Sequence, residues 1–231
     1  MNLIRTTMIA VTATLAAGAA AAQDKVRFGT NWLAQAGHGG WYQAVADGTF
    51  AAHGLDVEIV MGGPQVNNRP LLAAGRLDFL MAGNLLLSFD NVRNEIPTTV
   101  VGAFFQRDPQ MLMAHKGAYS GWDDLPNAPT VLISRDGQFS FWAWLTATQG
   151  FRDEQLRPYG FNLAQFLSDQ TIVQQGYATS EPLYAAAQGV DVDVFMLADY
   201  GWSTYSTTVE TRTDLVEQNP DLVQRFMDAS I

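Results

Sequence analysis

From Val26 onward the chain alternates short β-branched runs with helical stretches, and this alternation most limits what it can fold into. Residues 26–29 read as a strand, 40–52 as a helix closed near Gly54, and 55–60 (LDVEIV) as a second strand. The turn-rich loop MGGPQVNN leads into a short helix over 70–74. Residues 79–81 form a third strand, 85–92 a helix, and 98–105 a strongly β-branched strand. A β-α-β-α-β order calls for a mostly parallel sheet with helices on its faces.

A stretch rich in Gly, Pro and Asp, HKGAYSGWDDLPNAP, then marks a change of organisation near residues 115–129. A second α/β series follows it. Residues 130–134 read as a strand running into DGQ, 139–149 as a helix, 172–177 and 192–197 as strands, and 181–188 as the helix between them. Residues 206–209 suit a strand returning to the first series. The expected organisation is therefore a signal peptide at 1–22, a first lobe at 23–115, a second at 116–205 and a return segment at 206–231. Near the end, Asn219-Pro220 is a good helix start, and Leu222, Val223, Phe226 and Met227 form an apolar stripe. That helix stops at Ile231 without a Gly or Pro signal, so the chain reads as a fragment of a longer protein.

The leader MNLIRTTMIAVTATLAAGAAAA has one cation, a short Ala- and Thr-rich apolar run and an A-x-A site before Gln23. It is too short and too weakly apolar for a membrane anchor, and no later segment approaches eighteen apolar residues. Export, most simply to a bacterial periplasm, is the expectation. The chain has no cysteine, which excludes disulfides, thiol catalysis and Cys-type zinc sites and leaves stability to core burial. With 231 residues, 48% of them hydrophobic, it can bury a sizeable core. A net charge of −10 argues against nucleic acid or an anionic membrane surface as partner.

Few residues offer catalysis. His38, His53 and His115 are scattered and lack metal spacing; His53 suits a helix end, and His115 reads as solvated. No G-x-S-x-G elbow and no phosphate-binding glycine loop occurs. Asp123-Asp124 reads as a helix cap rather than a catalytic pair. No metal and no cofactor is expected. Binding is the better reading, because three loops after strands carry groups suited to a flat, neutral, polar ligand. Asn31 and Trp32 follow the first strand, Gly83 and Asn84 the third, and Tyr177 to Glu181 a strand of the second lobe. Trp offers a stacking face, Asn a donor with an acceptor, and Glu181 an acceptor for N–H groups. Two bland alternatives stay open: Trp32 or Trp41 as core, and Glu181 as a helix-start carboxylate. His38 and Trp41 are expected to shape the pocket wall, with Gly39-Gly40 leaving room for a helix to begin.

NWLAQAGHGGWYQAVADGTFAAHGLDVEIV, with GGPQVNN, AAGRLDF, GYATSEP and ADYGWSTYSTT, resembles the periplasmic substrate-binding proteins of ABC transporters. The likeness is to the subfamily related to thiamine-pyrimidine precursor binders and to thiamine pyrimidine synthase, and it covers nearly the whole chain after the leader. It implies a two-lobed α/β venus-flytrap fold of type II with its C-terminal part missing, a ligand between the lobes, a permease as partner, and a monomer. It also implies ligand contacts at Asn31, Trp32, Gly83, Asn84, Tyr177 and Glu181. The lysine and histidine of the synthase match Ala82 and Leu86 here, which speaks against that enzyme. Sulfonate, taurine and nitrate binders are related as well. The candidate segments 30–42, 83–87 and 177–184 hold no Lys or Arg, which favours a pyrimidine-like or flavin-like ligand over a small anion.

Overall fold

The computed structural model describes residues 22–64 and 66–231. The expected signal peptide, all but its last residue, lies outside the described residues. The strands are β1 (Asp24–Gly29), β2 (Leu55–Val60), β3 (Phe79–Asn84), β4 (Thr98–Phe105), β5 (Gln110–His115), β6 (Thr130–Ile133), β7 (Leu156–Pro158), β8 (Ile172–Tyr177), β9 (Val192–Met196) and β10 (Ser206–Arg212). They form two five-stranded sheets, β2-β1-β3-β10-β4 and β7-β6-β8-β5-β9. In the first, β1 runs parallel to β2 and β3, and β10 enters antiparallel between β3 and β4. In the second, β6 runs parallel to β7 and β8, and β5 lies antiparallel between β8 and β9.

The chain crosses between sheets twice, at residues 106–109 and 197–205. The boundary expected at His115 is thus one strand late, because β5 is an inner strand of the second sheet. The Gly- and Pro-rich stretch after it lies within the second lobe and includes the 3-10 helix Trp122–Asn127. His115 is not solvated: it is buried, stacked on Phe166, with Nε2 2.7 Å from the Phe166 carbonyl oxygen. The helix expected over 40–52 is two helices, Gly39–Ala46 and Thr49–Ala52. Gly48 breaks it with φ +83°, a left-handed conformation that glycine adopts without a Cβ penalty.

Each sheet is packed by aromatic side chains. In the first lobe Phe226, from the helix Pro220–Asp228, stacks on Phe79 at 3.9 Å and lies 5.3 Å from Phe28. Burying each such ring contributes about 2–3 kcal/mol, so this last helix is an integral cover of the first sheet. Asn219 caps it, its side chain accepting from the Leu222 N–H. The second sheet is covered on one face by Phe141, Trp142 and Leu145, and Tyr159 and Phe166 belong to a separate cluster with Met111 and Met113. No helix among the described residues is long and apolar enough to cross a membrane.

Candidate ligand-binding cleft

Strand direction brings the candidate residues together. β1, β3, β6 and β8 all end at the interface between the lobes, and antiparallel β5 and β10 begin there: Gln110 pairs with Tyr177, and Ser206 with Asn84. The loops beyond those ends line a cleft of about 670 Å³ that includes its open mouth. All seven residues singled out in the sequence line it: Asn31, Trp32, His38, Gly83 and Asn84 from the first lobe, Tyr177 and Glu181 from the second. Trp41 does not. It is buried in the first-lobe core, 4.5 Å from Phe104 and 5.4 Å from Phe28, because it sits on the helix face turned to the sheet.

The loop carrying Asn31 and Trp32 is held by its neighbours. Thr30 Oγ1 donates to the Trp32 carbonyl (2.9 Å) and accepts from the Gly62 N–H (3.0 Å); Asn68 Nδ2 donates to the Thr30 carbonyl (2.9 Å). A Cβ on Gly62 would fall 2.2 Å from that same carbonyl oxygen, so the GGPQVNN segment needs glycine at this contact. Asn84 caps the helix Leu85–Arg93 through its Oδ1, accepting from the Leu86 N–H at 3.2 Å. Its Nδ2 remains for the cleft.

Glu181 is buried and heavily used. Its Oε2 accepts from the Tyr177 N–H (2.8 Å), and its Oε1 from the Tyr159 hydroxyl (3.0 Å) and from Gln35 Nε2 (3.4 Å). Burial pushes its carboxyl above the usual range, opposed by those donors. Burial first, and the Glu181 charge second, raise the Tyr159 phenol. A Cβ on Gly176 would lie 2.8 Å from Glu181 Cβ and 2.6 Å from Met111 Cε, so only glycine admits this carboxylate. Trp32 lies 5.9 Å from Tyr159 in a stacked arrangement and edge-on to Phe161 at 6.0 Å. First-lobe Trp32 and Gln35 thus touch the second lobe at one spot.

Behind the cleft the two crossing segments are tied together. Ser206 Oγ donates to the Gly83 carbonyl (2.9 Å), which leaves the Tyr177 hydroxyl to donate to Ser206 Oγ (2.8 Å). Asp108 accepts from Trp202 Nε1 (2.9 Å) and from the Gln110 N–H (3.0 Å). Burial raises the Asp108 carboxyl, and burial followed by the Asp108 charge raises the Tyr177 phenol. Thr207, which lines the cleft, has φ +51°, a costly conformation for a β-branched residue.

The cleft also takes in Gln35, Gln110, Ser134, Asp136, Gln175 and Thr207, which the sequence reading does not single out. Asp136 had a usable signal: the DGQ turn follows β6, and loops beyond strand ends are the expected address. Gln110 and Thr207 had none, since they start strands whose antiparallel direction is a tertiary fact. No Lys or Arg lines the cleft among the described residues. No group of three His, Asp or Glu side chains there could hold a metal ion.

The family model described as NMT1/THI5 like matches residues 35–231. The chain belongs to the NMT1/THI5-like family. A riboflavin-binding protein, RibY, of Chloroflexus aurantiacus is 27% identical over 201 residues. That match takes in 83% of this chain and 56% of RibY, so the chain spans little more than half of this relative. Among solved structures, a protein of Bordetella bronchiseptica RB50 matches with a TM-score of 0.70 at 14% identity, over 90% of this chain and 70% of that one. The periplasmic aliphatic sulphonate binding protein SsuA of Escherichia coli matches with a TM-score of 0.60 at 14% identity, over 90% and 68%. These likenesses show the fold: this NMT1/THI5-like chain has the two-lobed α/β architecture of periplasmic binding proteins.

Proposed function

We propose that the chain is the exported solute-binding component of an ABC importer, that it holds a small heteroaromatic molecule between its lobes, and that it performs no chemistry on it. The observation that carries this reading is the cleft lining. Amides from Asn31, Asn84, Gln110 and Gln175 alternate with Trp32, Phe141 and Tyr177, and no Lys or Arg lines the cleft among the described residues. Such a surface stacks on a ring and reads its polar edge. Flavin-like and pyrimidine-like ligands fit it, and the relative named as riboflavin-binding supports the first. A free sulfonate finds no cation here, and the likeness to SsuA at 14% identity speaks for fold alone. Pyrimidine synthesis is disfavoured because positions 82 and 86 carry Ala and Leu, which offer neither an amine nor an imidazole. Delivery to a permease after export belongs to the same proposal.

The test is a thermal-shift screen of the purified chain against riboflavin, 4-amino-5-hydroxymethyl-2-methylpyrimidine and ethanesulfonate. A rise in melting temperature with either ring compound supports the reading. A rise with ethanesulfonate alone overturns it.

A further inference from the structure

Two residues that line the cleft from opposite walls each carry a polar group without a hydrogen-bond partner among the described residues. The first is His38 Nε2, a buried atom without a hydrogen-bond partner among the described residues. The Gln35 N–H donates to His38 Nδ1 (3.3 Å), which places the ring proton on Nε2 and makes that atom a donor. Burial pulls the His38 pKa down to about 4, so the ring is neutral near pH 7. A buried N–H without an acceptor is costly, on the order of 1–3 kcal/mol, unless a bound molecule supplies one.

The second is the carboxyl of Asp136, on the second-lobe wall. Its backbone carbonyl accepts from Ser140 Oγ (2.8 Å), but nothing among the described residues donates to the carboxyl itself. Burial pushes its pKa up, and the charges of Arg69 and Arg135 oppose this through space without a hydrogen bond. Arg69 is only partly engaged elsewhere: its Nη2 donates to the Leu87 carbonyl (2.6 Å) and pairs with Glu210 (3.3 Å), while its Nη1 is buried without a hydrogen-bond partner among the described residues. Glu181 is the opposite case, with three protein donors on its two oxygens.

We infer that Asp136, rather than Glu181, is the carboxyl that reads the ligand, and that the cleft selects a heteroaromatic molecule offering an acceptor to His38 Nε2–H and an N–H or O–H donor to Asp136. This rests on the binding-protein reading above and names its specificity. An aminopyrimidine offers ring nitrogens and an exocyclic amine; an isoalloxazine offers carbonyls and an imide N–H. Ethanesulfonate offers acceptors only and would set its charge against that of Asp136. Glu181 is a positioning residue that fixes Tyr159, Gln35 and the Tyr177 main chain.

Calorimetric titration of the full chain with riboflavin and with 4-amino-5-hydroxymethyl-2-methylpyrimidine tests this. The compound that binds wild type should bind Asp136→Ala about tenfold more weakly, the scale of one lost charged hydrogen bond, and Asp136→Asn to an intermediate degree. The melting temperature of unliganded Asp136→Ala should stay level or rise, because no protein donor is orphaned. The donor-free analogue, 3-methylriboflavin or the pyrimidine without its amino group, should bind wild type and Asp136→Ala alike. Undiminished binding by a folded Asp136→Ala overturns the inference and leaves the binding-protein reading standing. Failure of both compounds to bind wild type removes the heteroaromatic reading and the inference together.

Discussion

The two walls of the cleft do different work. The first-lobe wall is a loop and two strand ends whose polar groups are partly spare: Asn84 keeps its Nδ2, and His38 keeps an unpartnered Nε2. The second-lobe wall holds both carboxyls of the cleft, one saturated and one bare. Two chemically alike groups on one wall therefore have opposite relations to the fold. Stability should depend on Glu181, and selection of the ligand on Asp136. A buried carboxyl with three protein donors is expensive to remove, whereas a half-buried one that no protein group donates to holds little of the fold together.

The largest effect that could break this contrast is at Glu181 itself. Glu181→Leu orphans the Tyr177 N–H and the Tyr159 hydroxyl inside the protein, at about 1–3 kcal/mol each, and deletes the contact to Gln35. Relief of carboxylate desolvation offsets part of this. The expected net loss is about 4 kcal/mol of unfolding free energy by urea titration. A loss below about 1 kcal/mol would mean that Glu181 is no keystone and would return it to the list of ligand contacts.

His38 gives the next effect, on the opposite wall. Its pKa falls from 6.5 in the unfolded chain to about 4 in the folded one, because burial penalises the imidazolium. The unfolded state therefore binds more protons between those values. The contribution is full above about pH 6.5 and is lost as pH falls toward 4, with a ceiling of roughly 3 kcal/mol at about 1.4 kcal/mol per tenfold. The melting temperature of wild type relative to His38→Gln should fall as pH drops through that window. The raised carboxyls of Glu181, Asp108 and Asp136 act in the reverse sense in both proteins and cancel in the difference. Parallel curves would show that His38 is not buried as neutral imidazole.

Much of the cleft was legible in the sequence, though not the contrast between its two carboxyls, for a physical reason. Strand and helix periods are local, so β1 through β4 and their helices follow from β-branched runs and apolar spacing. The rule that ligands lie beyond strand ends then gathers Asn31, Gly83, Asn84 and Tyr177 without any knowledge of pairing. What stayed hidden depends on distance along the chain. QMLMAH carries no mark of which sheet it joins, because its antiparallel pairing to β8 is made with residues more than sixty positions away. Nothing local separates Trp32 from Trp41 either; the helix phase that turns Trp41 to Phe28 and Phe104 decides it. Glu181 reads as a ligand group or a helix-start carboxylate with equal justice until Gln35, 146 residues earlier, is seen to reach it.

That last contact yields the smallest effect and the one closest to function. Gln35 Nε2 donates to Glu181 Oε1 at 3.4 Å across the cleft, so the bond exists only while the lobes meet. Trp32 stacked on Tyr159 is made under the same condition. Gln35→Ala removes one long hydrogen bond from the closed arrangement and nothing from an open one, a difference of about 0.5–1 kcal/mol. A ligand held between the lobes must then supply that energy, so its affinity should fall about two- to fivefold with its contacts unchanged. Small-angle scattering of the unliganded variant should show a larger radius of gyration than wild type. If affinity falls with no change in scattering, Gln35 touches the ligand rather than the opposite lobe, and Glu181 loses its role in holding the cleft closed.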